Sequence, residues 1–145
     1  MDSDITFTVK GNEYSAGKLD AKRQFHITRR LLPLMGGFIK EGHMEGETSE
    51  AAIAAFLKIA GNMEDEQLDY IFDHCLAVVK RKDGDISAQI TAPIPNGKRA
   101  ILYEDIDMMA MLIISFNVIK RNLSSFFDAL PSDLAEKFRG AMSAT

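Results

Sequence analysis

One cysteine, Cys75, and no tryptophan occur among the 145 residues. A single cysteine cannot close an intrachain disulfide, which excludes the class of small secreted domains that depend on disulfides and argues against an oxidising compartment. The N-terminal Met-Asp-Ser-Asp also lacks the basic start and the apolar run of a secretory signal peptide. We therefore expect a cytoplasmic protein.

A membrane-spanning run and an excess of basic charge are also missing. The most apolar stretch, residues 106–119, contains Asp107 and Asn117 and is shorter than the roughly 20 apolar residues that cross a bilayer. The chain has 17 Lys and Arg against 21 Asp and Glu, for a net charge of -4. Binding nucleic acid by charge neutralisation requires a basic surface. We expect neither a membrane nor a nucleic acid as a partner.

The sequence also lacks the motifs that mark enzymes and metal sites. Glycine-rich phosphate loops and nucleophile elbows do not occur. The three histidines, His26, His43 and His74, have neither the i, i+4 nor the Cys-x-x-Cys spacing of a metal site. On a helix, the adjacent His74 and Cys75 side chains point about 100° apart, which is unsuited to a nucleophile pair. We expect no catalytic residue, metal ligand or cofactor.

The composition, with 46% hydrophobic and 26% charged residues, is that of one globular domain. Residues 1–19 alternate apolar and polar side chains and predict a β-hairpin that turns at residues 10–13, where Gly-Asn accepts positive φ. Asp20 is the predicted N-cap of a helix from Ala21 to about Leu32. The expected fold class is α+β, mainly α-helical: a small helical bundle with one or two short β-hairpins.

The remaining elements follow from periodicity and from Gly and Pro breaks. The helix that opens near Asp65 is expected to end on the basic run at 80–82, because cations favour a helix C-terminus. The last long helix should begin at Asp105 and Asp107 and form the hub of the core, since its centre is apolar almost all round. Helices are predicted over 20–82, with a flexible loop at 36–49. A second hairpin or loop follows over 83–103. The long helix and a short C-terminal helix are expected over 104–139, before a frayed tail at 140–145.

Two features predict contacts with other proteins. The first helix carries a narrow basic stripe, and methionines cluster at the start of the long helix, where flexible thioethers suit varied apolar partners. Core filling by the methionines is the alternative. The candidate partner-binding residues are Lys22, His26, Arg29, Arg30, Met108, Met109 and Met111.

Charge is also unevenly distributed along the chain. The charged residues at 18–40 are basic except for Asp20. Between Glu41 and Asp73, in contrast, there are nine acidic residues and a single basic one, Lys58. This polarity can serve head-to-tail self-association or binding of a charged client. It can also arise when neighbouring helices offset each other's charge.

Two blocks of sequence resemble the small tail assembly chaperones of long-tailed bacteriophages and prophages, in their short form. The first block has ITFTV at 5–9, EY at 13–14, GKLDA at 17–21 and QFHITRRL at 24–31. The second has YEDID at 103–107 and NLSSFF at 122–127. The resemblance implies a protein without a catalytic site. It also implies that a longer, frameshifted form accompanies the short one.

The function implied by the resemblance is non-enzymatic and belongs to virion assembly in the bacterial host cytoplasm. The protein would bind the tape-measure protein, assist polymerisation of the tail-tube protein around it, and be absent from the mature virion. A different class of function is a small helical adaptor or regulator that binds one folded phage or host partner. A third is a small hydrolase that uses His74 or His26.

Overall fold

The structure is a computed structural model that describes residues 4–31, 50–129 and 133. The described residues form four helices: α1 (Ala21–Leu31), α2 (Glu50–Ala60), α3 (Asp65–Ala77) and α4 (Met108–Ala129). They also form six strands: β1 (Ile5–Val9), β2 (Asn12–Ala16), β3 (Val79–Asp83), β4 (Ile86–Gln89), β5 (Thr91–Ile94) and β6 (Lys98–Ile101).

The expectation of a helical bundle with one or two short hairpins is wrong. Strands β1 to β4 form one antiparallel sheet in the order β1-β2-β3-β4, and β5 and β6 form a separate antiparallel ribbon. The fold is therefore α+β with a continuous four-stranded sheet as a structural layer. The sheet joins segments that are far apart in sequence, because β1 and β2 come before α1 whereas β3 and β4 follow α3.

Strand β3 is where the sequence prediction fails. The basic run at 80–82 was expected to end a helix, but α3 ends at Ala77, and Arg81 pairs with Tyr14 of β2 and Ala88 of β4. Val79 and Arg81 point toward the protein interior while Lys80 and Lys82 face solvent, which is the two-residue period of a strand. Pairing with β2, distant in sequence, overrides the local preference of cations for a helix end.

The first hairpin is confirmed, but its turn lies one residue earlier than the Gly-Asn pair indicated. Lys10 and Gly11 are the two turn residues, with φ of 50° and 84°, and Asn12 already pairs with Val9. Positive φ at both central residues is the turn that matches strand twist. The second hairpin is also present, as the ribbon of β5 and β6, but it is shorter than predicted because β4 joins the main sheet.

Helix α4 is the hub of the core, as its apolar centre predicted. Its Ile114, Phe116 and Val118 are buried, and the Phe116 ring lies 5.5 Å from that of Phe56 on α2. Asp107 caps the helix by accepting a hydrogen bond from the Ala110 backbone N–H at 2.9 Å. The predicted loop at 36–49, the C-terminal helix except for Asp133, and the tail at 140–145 lie outside the described residues.

Candidate partner-binding surface

The basic stripe of α1 lies on the surface because of how the helix is capped and packed. Asp20 caps α1 through a 2.8 Å bond from the Arg23 backbone N–H to its Oδ1. Ile27 and Leu31 are buried in the core. The opposite side of the helix then faces solvent, with Lys22 and Arg29 exposed and with His26 and Arg30 half-buried.

Helix α3 adds aromatic rings to this stripe. The guanidinium carbon of Arg30 lies 4.0 Å from the centroid of the Tyr70 ring, a cation–π contact. The His26 ring meets the same Tyr70 edge-on at 6.2 Å, and His74 packs against Tyr70 at 4.3 Å. We call this surface the cation–aromatic cluster, and its members are Phe25, His26, Arg29, Arg30, Tyr70 and His74.

Hydrogen bonds within α1 fix the two arginines. Arg30 donates from Nη1 to the His26 carbonyl at 2.9 Å, which holds its side chain over Tyr70. Arg29 donates from Nε to Nδ1 of His26 at 3.3 Å. The cluster is thus an ordered surface whose cations are held in place by neighbouring side chains.

Phe25 is a member of this surface that the sequence analysis did not single out. Its side chain is 63% exposed and its ring lies 5.9 Å from that of His26. An exposed aromatic ring beside cations is typical of protein–protein contact surfaces. Tyr70 and His74 were also missed as members of this surface, because only the packing of α1 against α3 brings them to it.

The cations of α1 have no acidic partner within the part of the chain that the structure describes. Its ion pairs there join Lys10 to Asp107, Arg81 to Asp105, Lys82 to Glu13 and Lys98 to Asp69. Lys22 and Arg29 belong to none of them. Burial lowers the pKa of His74, and the positive charge of Arg23 lowers it further. The positive charge of the cluster therefore comes from its arginines, while the lowered pKa of His74 disfavours a charge on that ring.

The methionine cluster is split between surface and core. Met108 is 70% exposed and Met109 40%, whereas Met111 is half-buried and packs against the core. Asn122, which lies near α1, is fourteen residues after Met108 on α4, and this spacing corresponds to about 21 Å along the helix axis. The structure thus does not bring the methionines and the basic stripe together, and the predicted residues form two separate surfaces.

The YEDID segment at 103–107 holds the methionine end of α4 in place. Arg81 donates from Nη1 to Oδ1 of Asp105 at 2.7 Å, and its guanidinium carbon lies 4.5 Å from the centroid of the Tyr103 ring. Lys10 forms an ion pair with Asp107. The hydrogen bond from Arg81 lowers the pKa of Asp105, and that from Lys10 lowers the pKa of Asp107.

Asn122 joins the second resembling block to the first. Its buried Oδ1 accepts hydrogen bonds from the Leu19 backbone N–H at 3.1 Å and from Nε2 of Gln24 at 2.9 Å. Its Nδ2 donates to the Val118 carbonyl at 2.7 Å. Sequence reasoning found the segments but not this contact, since nothing local links residue 122 to residue 19.

The metal-ligating groups and the single cysteine were the remaining candidates for chemistry. The described residues contain no group of three or more metal-ligating side chains. Cys75 is fully buried, and burial raises the pKa of its thiol, so the reactive thiolate is disfavoured. In the same residues, none of the helices combines the length and apolar character needed to span a bilayer.

A family model described as phage tail assembly chaperone protein, TAC, matches residues 10–135 of the chain. The chain belongs to this family. The match confirms the resemblance and includes both the cation–aromatic cluster and the YEDID segment of this tail assembly chaperone. No curated protein and no solved structure matches the chain.

Proposed function

We propose that the protein is a non-enzymatic chaperone that binds the tape-measure protein and assists polymerisation of the tail-tube protein around it. It acts in the cytoplasm of the bacterial host and is absent from the mature virion. Family membership supports the assembly role. The observation that carries the proposal is the cation–aromatic cluster: ordered cations that have no acidic partner among the described residues, beside a 63% exposed Phe25.

The two surfaces take different parts in this function. Met108 and Met109 present flexible apolar side chains at the start of α4, which suits an apolar face of a long helical client. The cation–aromatic cluster contacts the client or a neighbouring copy. Neither role requires a perturbed titratable group, in keeping with the buried, inert Cys75.

The test is co-expression with the tape-measure protein, scored by the amount of client in the soluble fraction. Met108→Gln with Met109→Gln should lower that amount, because the apolar contact is lost while the fold is kept. The matched control is Ile86→Gln with Leu57→Gln, since those side chains are similarly exposed, at 70% and 47%. The control should leave client solubility unchanged.

Two outcomes would overturn the proposal. A client that is equally soluble with and without this protein would favour an adaptor with one folded partner. Reversal of charge at Arg29 and Arg30 that changed neither client solubility nor self-association would remove the role of the cation–aromatic cluster.

A further inference from the structure

We propose that the cation–aromatic cluster binds a second copy of this chain. The contact in that copy is the acidic start of α3, residues 64–66 with the sequence Glu-Asp-Glu. The two copies form a two-fold dimer in which each cluster meets the acidic start of the other. The dimer goes beyond the chaperone role and does not depend on any client.

Exposed charge of both signs lies on α1 and at the start of α3. On α1, Lys22, Arg23 and Arg29 lack a carboxylate partner among the described residues, where the ion pairs involve other cations. On α3, the carboxylates of the acidic start lack a cationic partner within the same residues. The chain therefore carries, in exposed positions, both halves of a complementary contact.

The two charged regions also face the same side of the molecule. Arg30 and His26 of α1 both lie against Tyr70 of α3. Glu66 is four residues before Tyr70 and thus in the same row of α3, about 6 Å toward its N-terminus. The acidic start consequently begins within about one helical turn of the contact between α1 and Tyr70.

This adjacency determines the symmetry of the dimer. When both halves of a contact lie on one surface, a two-fold axis satisfies them twice, once in each direction, and the assembly closes. Exposed ion pairs contribute little each and mainly fix orientation. The apolar anchor is Phe25, whose ring is too exposed to contribute much to the fold of its own copy.

The first experiment measures the mass of the purified chain by sedimentation or light scattering. We expect twice the 16.1 kDa chain mass at about 0.1 M salt. The dimer should dissociate at about 1 M salt, where the attraction between exposed charges extends only about 3 Å.

Lys22→Glu with Arg29→Glu should weaken dimerisation about tenfold or more, because each change acts twice across the axis. Lys58→Glu with Lys80→Glu changes net charge equally on other surfaces and should leave the dimer intact.

Charge exchange between variants tests the pairing itself. The variant Lys22→Glu with Arg29→Glu has two acidic halves, and Glu64→Lys with Glu66→Lys has two basic halves. Each alone should be monomeric, and an equimolar mixture should form a heterodimer. Phe25→Ala should weaken the wild-type dimer while leaving thermal unfolding of the monomer unchanged.

A wild-type chain that stays monomeric at low salt would overturn the dimer and would indicate that α1 and α3 offset each other's charge within one copy. Variants that fold but fail to form a heterodimer would overturn it as well. Client solubility is measured in a separate experiment, so the chaperone role is tested independently of the dimer.

Discussion

Asp105 accepts a hydrogen bond from Arg81 at 2.7 Å, and this bond ties the third strand of the sheet to the loop that leads into α4. Asn12 completes the junction, because its Oδ1 accepts from Arg81 and its Nδ2 donates to Asp105. The junction places the exposed Met108 at a fixed point relative to the sheet. A segment that resembles the family thus positions the proposed binding surface.

Loss of the Arg81 guanidinium should destabilise the fold more than loss of the Asp105 charge. Arg81→Met removes the bonds to Asp105 and Asn12 together with the contact to the Tyr103 ring, whereas Asp105→Asn keeps an oxygen that can accept. Urea unfolding of the two variants measures the difference. Equal unfolding midpoints for Arg81→Met and wild type would contradict the structural role of this junction.

Replacement of Asn122 should be costly because its partners are buried with it. Asn122→Ala leaves the Leu19 backbone N–H without an acceptor, which costs about 1–3 kcal/mol of unfolding free energy. Gln24→Ala removes only a half-buried partner of the same oxygen and should cost about 1 kcal/mol or less. If denaturant titration gave the two variants the same stability, the buried bond to Leu19 would not have the importance assigned to it.

The hairpin turn predicts a contrast between two glycines. Gly11 has φ of 84° with open space around it, so Gly11→Ala carries a purely conformational cost of about 1–2 kcal/mol. Gly17 has no positive φ, and an added Cβ would lie 3.7 Å from Asp4 Oδ1, an ordinary contact. Gly17→Ala should therefore leave thermal stability unchanged or raise it slightly. The reverse order of melting temperatures would contradict the turn assignment.

Stability should fall as the pH drops below about 6.5, in part through His74. Burial and the charges of Arg23, Arg30 and Arg99 lower its pKa in the folded state, opposed by Asp20. The unfolded chain then binds more protons than the folded chain in this range, so acid favours unfolding. His74→Gln should reduce the loss of unfolding free energy between about pH 7 and pH 5. A variant that kept the whole loss would exclude His74 as its source.

Local signals predicted several elements of this fold correctly. Asp20 and Asp107 cap the helices they were expected to cap, the first hairpin forms, and the apolar centre of α4 fills the core. The failure at Lys80 to Lys82 has a single cause. A basic run after a helical pattern reads locally as a helix end, and only pairing with β2, more than sixty residues earlier, makes it a strand.

The candidate surface shows the same limit of local reasoning. Helical periodicity found the stripe of Lys22, His26, Arg29 and Arg30, because these residues lie on one helix. It did not find Tyr70 or His74, which come from α3, and it did not single out the exposed Phe25. Aromatic partners from another helix are visible only once the helices are packed.

The most direct test of the chaperone function is the stoichiometry of the complex with the tape-measure protein. Light scattering on the co-purified complex gives the number of copies bound to each client molecule. The account predicts many copies on one client that is insoluble alone. A stable complex of one copy with one client would contradict it and would indicate an adaptor.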